Sequence, residues 1–205
     1  MPRIIETSKE EYKEEAKKKI VKAAVNVVRR KGFQSMTVED IAQEVGVTKG
    51  ALYLYFENKE DLFKSVMTEG ARLFEEVIEC SSGDTDDLDT ALENMINHTM
   101  NLQKTFGPIE DNLVLVVELF SIVLRDPEKY AMFWGIFQKN ITVMENGLRA
   151  LQKKKLIEKG LDVHNAAMGV LSLMGAVKIR IYLGEDEDEV KKWWILSAKK
   201  LLDVT

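Results

Sequence analysis

One cysteine, Cys80, has nothing to pair with inside the chain, so an internal disulfide is excluded and a reducing, cytoplasmic home is expected. Three prolines and twelve glycines in 205 residues supply little punctuation, which favours long helices over a many-turned β fold. Long apolar runs are scarce too. The longest, Leu113–Leu124, is interrupted by Glu118 and falls well short of the roughly 20 residues a membrane helix needs. From Arg3 to Lys19 the chain is polar and charged, leaving no room for a signal peptide, and a soluble protein with no membrane partner is expected. There is no glycine-rich phosphate loop, no Glu-x-x-His pair and no nucleophile–base pair. Those gaps argue against an enzyme on a helical bundle, and no catalytic residue, metal or cofactor is expected.

What is present is the composition of an ordinary globular protein, 45% apolar and 31% charged. A net charge of −5 argues against a chain that coats nucleic acid without preference. The charge is unevenly spread. Residues 1–66 hold 13 Lys/Arg against 11 Asp/Glu, while the acidic run Glu185–Glu189 lies far away. Such a split suits a DNA-reading end joined to a partner-binding or ligand-binding body.

Apolar residues recur at helical spacing throughout, and no segment reads as a strand. Ile20, Ala23, Ala24, Val27 and Val28 form one stripe on a helix from about Ser8 to Lys31, ended by Gly32. Thr37-x-x-Asp40 resembles a capping box and opens a helix that carries Val38, Ile41, Ala42 and Val45 inward and stops at Gly46. Thr48 caps a short helix through Ala51, Leu52 and Tyr53. A longer helix runs from Lys59 to about Cys80, and Ser81–Asp87 reads as a loop. Further helices are expected over Leu88–Thr105, Ile109–Leu124, Pro127 to about Leu156, Asp162–Leu183, and from the acidic run to Leu201. The fold class is therefore all-α, with about nine helices.

Two short helices meeting at Gly46-Val47, with a longer one ahead, have the dimensions of a helix-turn-helix. Gly46 suits a position that needs positive φ. Val45, Val47 and Leu52 are expected to fix the angle between the two helices. Thr37 and Thr48 would offer hydroxyls and helix-start N–H groups to phosphates. Lys49 could reach a guanine edge or a phosphate, and Gly50 would let the backbone come close. Tyr53 and Tyr55 could bond phosphates, with Lys59 adding a cation. These seven are the candidate DNA-binding residues.

The run from Thr37 to Phe63, with Ile41-Ala42, Gly46-Val47, Thr48, Gly50, Leu52-Tyr53, Tyr55-Phe56, Lys59 and Leu62 at fixed spacing, strongly resembles the DNA-binding signature of the TetR family. The likeness covers about residues 15–65. Ala51 stands where a hydroxyl residue is often found. The resemblance implies a helix-turn-helix DNA-binding domain over 1–58 and a larger helical ligand-binding and dimerisation domain over 59–205. It also implies a pocket in that body and a homodimer formed by the last two helices.

The middle helices are rich in adaptable side chains, and Met95, Phe106, Phe120, Phe137 and Met168 are the candidate ligand contacts. Glu118 joins them as a carboxylate set among apolar neighbours. Gly169, Leu173, Ala176 and Val177, together with Trp193, Trp194, Ala198 and Leu201, are the candidate dimer seam. The function expected is a ligand-responsive regulator, a repressor that binds a pseudo-palindromic double-stranded operator as a homodimer. A small hydrophobic or amphipathic effector would release it. An adaptor or activator of the same fold, working through a protein partner without a small ligand, is the alternative.

Overall fold

A computed structural model of the chain describes residues 3–33, 35–83, 85–105, 117 and 120–202. Helix α1 spans Arg3–Lys31, α2 Val38–Val45, α3 Lys49–Leu52, α4 Lys59–Gly83 and α5 Leu88–Thr105. Residues 120–123 are helical as well. The chain then continues through α6 (Pro127–Lys153), α7 (Val163–Tyr182) and α8 (Glu187–Leu201). Among the described residues there is no strand, and the fold is all-α.

Local chemistry sets most of the ends. Gly32 adopts φ 78° and its N–H returns to the Val28 carbonyl at 2.7 Å, closing α1 where a side chain would be strained. Asp126, Asp162 and Asp186 each accept backbone N–H groups of the following first turn, capping α6, α7 and α8. Helix α4 runs past the expected stop at Cys80 because Ser81 and Ser82 stay helical. Both hydroxyls are buried and donate back to the carbonyls of Val77 and Ile78 at 2.7 Å, so neither seeks a turn.

Two apolar clusters form. The first gathers Ile20, Ala23, Ala24, Val27 and Val28 of α1 with Ile41, Ala42, Leu52, Phe56 and Leu62. Fully buried members such as Val27 and Ile41 stabilise the fold by about 1.5–3 kcal/mol each. The second is built from the far half of α4 and from α5 to α8, around Ile78, Met95, Met144, Val177 and Trp194. Helix α4 belongs to both, giving Leu62 to the first and Val77 and Ile78 to the second. Where α4 meets α6 the backbones approach closely: a Cβ on Gly147 would stand 2.6 Å from the Ile78 Cγ2. Among the described residues, no helix is long and apolar enough to cross a membrane.

Candidate nucleic-acid interface

The turn between α2 and α3 is built from its caps. Thr37 Oγ1 accepts from the Asp40 N–H at 3.2 Å while the Asp40 carboxylate accepts from the Thr37 N–H at 3.0 Å, a complete capping box. Gly46 ends α2 in the left-handed region, φ 80° and ψ 31°, and donates to the carbonyls of Ala42 and Gln43. Val47 N–H also reaches Ala42 O, at 2.9 Å, so the chain reverses within two residues. Thr48 then caps α3 by accepting from the Ala51 N–H at 3.2 Å. Both threonine hydroxyls are thus occupied as acceptors and keep an O–H for an outside oxygen.

Leu52 and Phe56 face inward, while Lys49, Gly50, Tyr53 and Leu54 face solvent. Val47, expected to brace the two helices, is instead 41% exposed, because the Gly46 turn carries it outward. Lys49 bridges back to Glu39 of α2 and lies 6.0 Å from the Tyr53 ring centroid. The Lys49 ammonium holds the Glu39 carboxyl below the usual range, and Glu39 raises the lysine in turn. Asp40 is pulled down to about 2, first by the Lys31 ammonium 2.6 Å away and then by the Thr37 N–H. Glu44 is lowered by Arg30 at 2.6 Å. All three carboxylates of α2 therefore hold a cation of a neighbouring element.

Lys59 is held against the head: its Nζ donates to the Met36 carbonyl at 2.9 Å and lies 4.6 Å from the Phe33 ring centroid. Partial burial there lowers its pKa. Tyr55 is half-buried against the first cluster, whereas Tyr53 is freely presented. Gly50 has no packing reason to lack a side chain. A Cβ there would meet only the Thr48 Oγ1, at an ordinary 3.9 Å.

In the body the described candidate ligand residues have different surroundings. Met95 is enclosed in the second cluster, while Met168 lies on the outside of α7. Phe120 packs edge-on to Phe133 at 5.1 Å, and Phe137 stacks on Trp134 at 5.6 Å. Phe106 and Glu118 lie outside the described residues. A cavity of about 230 Å³ opens between α4 and α6, with mixed walls that set Glu75, Glu79, Ser82 and Asn146 beside Ile78 and Val143.

The sequence reading also passed over Lys178 on α7. Its ammonium is pushed below the usual lysine range by burial, and it has no acidic partner among the described residues. A long charged side chain in a sequence otherwise reads as solvated surface, so no signal pointed to it.

Three of the expected dimer-seam residues need correction. Val177, Trp194 and Ala198 are fully buried inside the subunit, so they offer no surface to a second copy. Gly169 admits Leu201 of the same subunit, whose Cδ1 would stand 2.9 Å from an added Cβ. Leu173 and Trp193 pack against the same core, and Ala176 is only partly exposed. The outward stripe of α7 is instead Met168, Ser172, Gly175, Ile179 and Tyr182, at alternating spacings of four and three.

The family model described as "Bacterial regulatory proteins, tetR family" matches residues 20–66. The HTH-type transcriptional regulator YfiR of Bacillus subtilis (strain 168) is 37% identical over 60 residues, and the match spans 29% of this chain and 29% of that relative. The fatty acid metabolism regulator protein of the same organism is 26% identical over 183 residues, covering 88% of this chain and 84% of its own length. Among solved structures, a TetR-family transcriptional regulator from Mesorhizobium loti superposes with a TM-score of 0.74 at 20% identity, over 94% of this chain and 97% of that one. The regulator FadR from Bacillus subtilis, in complex with stearoyl-CoA, gives 0.69 at 22% identity, over 91% and 98%. Residues 20–66 therefore match the helix-turn-helix segment of the TetR family, and the described all-helical fold is similar through the body to solved regulators of that family.

Proposed function

We propose that this regulator is a repressor that binds a pseudo-palindromic operator as a homodimer and leaves it when a small amphipathic effector occupies the body. The observation that carries the DNA role is the presentation of Lys49, Gly50 and Tyr53 on one exposed face, held by the capped turn at Gly46. The reading head ends and the body begins along α4, which contributes to both apolar clusters. Two-fold pairing through the outward stripe of α7 would set two reading heads about 34 Å apart, or at a related spacing. No catalytic role is assigned to the chain.

Two observations support an effector with an apolar chain and an anionic group. Lys178 is a partly buried cation without an acidic partner among the described residues, and such a group favours a bound anion. Relatives named for fatty acid metabolism, and a structural neighbour holding stearoyl-CoA, point to the same chemistry. A ligand pressing on the body end of α4 would shift the helix that also holds Leu62 in the head. A near-complete reversal of occupancy requires the effector to favour the released state by about 5 kcal/mol. By reciprocity the operator must weaken effector binding by the same factor.

The test begins with selection of duplexes from a random library by the purified protein. A long-chain acyl thioester is then titrated with and without the selected duplex. A two-fold symmetric site and unequal ligand affinities are expected. Equal affinities would eliminate the switch.

A further inference from the structure

The reading element is poor in groups that hydrogen-bond to bases. Helix α3 is Lys49-Gly50-Ala51-Leu52, and its single polar side chain is answered by Glu39. Around it stand two exposed apolar residues, Val47 at 41% and Leu54 at 74%. Leu54 continues the helical turn beyond α3, its N–H reaching the Ala51 carbonyl at 3.3 Å, so it lies one turn beyond Gly50. Val47 leads into the same face three residues before Gly50. The row Val47–Gly50–Leu54 is therefore two apolar side chains with an open notch between them, flanked by Thr48, Lys49 and Tyr53.

Leaving Leu54 in water stabilises nothing in the free protein, and the first cluster takes Leu52 and Phe56 instead. In a major groove the complementary apolar feature is the 5-methyl group of thymine, and no other base carries it. Resting on the DNA-binding reading above, we infer that Leu54 and Val47 are specificity residues that select thymine through its methyl group at one or two positions of each half-site. Gly50 supplies the clearance that lets the methyl-bearing base edge enter between them. Lys49 and Tyr53 set the register on the phosphates or on an adjacent guanine.

Deoxyuridine keeps every hydrogen-bonding group of thymidine and removes only the methyl. The selected duplex is therefore resynthesised with deoxyuridine at each thymidine in turn, symmetrically in both half-sites. Binding is measured for the full-length protein and for its Leu54→Ala and Val47→Ala variants. Expected is about a fourfold loss per half-site at one or two thymidines for the unaltered protein, the worth of one buried methyl group. That loss should vanish in one of the variants. Leu54 is an exposed side chain, so its truncation leaves the core intact. Uniform indifference to deoxyuridine, or a penalty that persists in both variants, would overturn the methyl reading alone. Failure to select any duplex would overturn the DNA-binding reading with it.

Discussion

Lys59 Nζ donates to the Met36 carbonyl at 2.9 Å, joining the first residue of α4 to the loop that precedes α2. The Phe33 ring lies under the same ammonium, and Phe33 packs edge-on to Phe63 at 5.1 Å. The lysine therefore acts first on the shape of the head. Lys59→Ala should destabilise the head by about 1–2 kcal/mol, the worth of a charge-assisted hydrogen bond with its ring contact. Urea denaturation followed by circular dichroism would measure it. An unchanged midpoint would mean that the tether carries no energy.

Lys49 and Glu39 make a paired prediction. Lys49→Ala removes a group directed at DNA and should weaken specific binding by about 1–3 kcal/mol. Glu39→Gln should strengthen binding several-fold at low salt, because the lysine no longer has to leave a carboxylate to meet a phosphate. Fluorescence anisotropy on a labelled duplex would register both. Should Glu39→Gln weaken binding, the bridge must be positioning the lysine rather than competing for it.

Two glycines of α6 should respond in opposite directions to alanine. Gly135 has open space where a Cβ would go, so Gly135→Ala gains helix propensity and should stabilise by up to about 1 kcal/mol. At Gly147 the added Cβ would meet a branched methyl at 2.6 Å, on a side chain stiff about χ1. Overpacking of about 1–3 kcal/mol should outweigh the same propensity gain there. Thermal melts of the two variants would separate the effects, and a stabilised Gly147→Ala would show that α4 and α6 can part freely.

Ile179 tests the outward stripe of α7. It is half-exposed in the single subunit, so Ile179→Glu should leave the subunit folded while splitting a dimer. Val177→Glu, two residues away and fully buried, should unfold the body. Light scattering with circular dichroism distinguishes these outcomes. A folded dimer of Ile179→Glu would place the seam on another face.

Asp40 gives the head a response to acid. Its pKa near 2 lies below the 3.8 of a free aspartate, so its ionised form favours the folded head. That contribution is complete above about pH 4 and is lost as pH falls from there towards 2. Asp40→Asn should flatten the acid-unfolding curve in this window relative to the unaltered chain. Superimposable curves would argue that the Lys31 bridge and the capping box add nothing to stability.

How much of this was legible in the sequence depended on how local the cause was. The caps at Thr37, Thr48, Asp126 and Asp162 act within three residues, and the sequence shows them directly. The stripe of Ile20 to Val28 was equally plain and faces the first cluster as expected. Periodicity does not say which body a stripe faces. Val177, Trp194 and Ala198 recur at interface-like spacing, yet they meet their own subunit, and the outward stripe of α7 begins at Met168. The tether of Lys59 and the setting of Lys178 left no trace in the sequence for the same reason: a lysine's surroundings come from elements distant in sequence. Ser81 and Ser82 looked like loop residues because their bonds to the preceding turn leave no trace in composition.

The three carboxylates of α2 each hold a cation, Glu39 with Lys49, Asp40 with Lys31 and Glu44 with Arg30. On the proposed DNA-binding reading, any of these cations that meets a phosphate would first have to leave its carboxylate, so a chance encounter with unrelated sequence would return little for the bridges it breaks. Residence on arbitrary duplex would then be brief, with time spent sampling rather than waiting. Only a site that also satisfies the shape of the exposed face would repay all the openings together. Restraint of this kind, written into one eight-residue helix, would trade grip for speed of search.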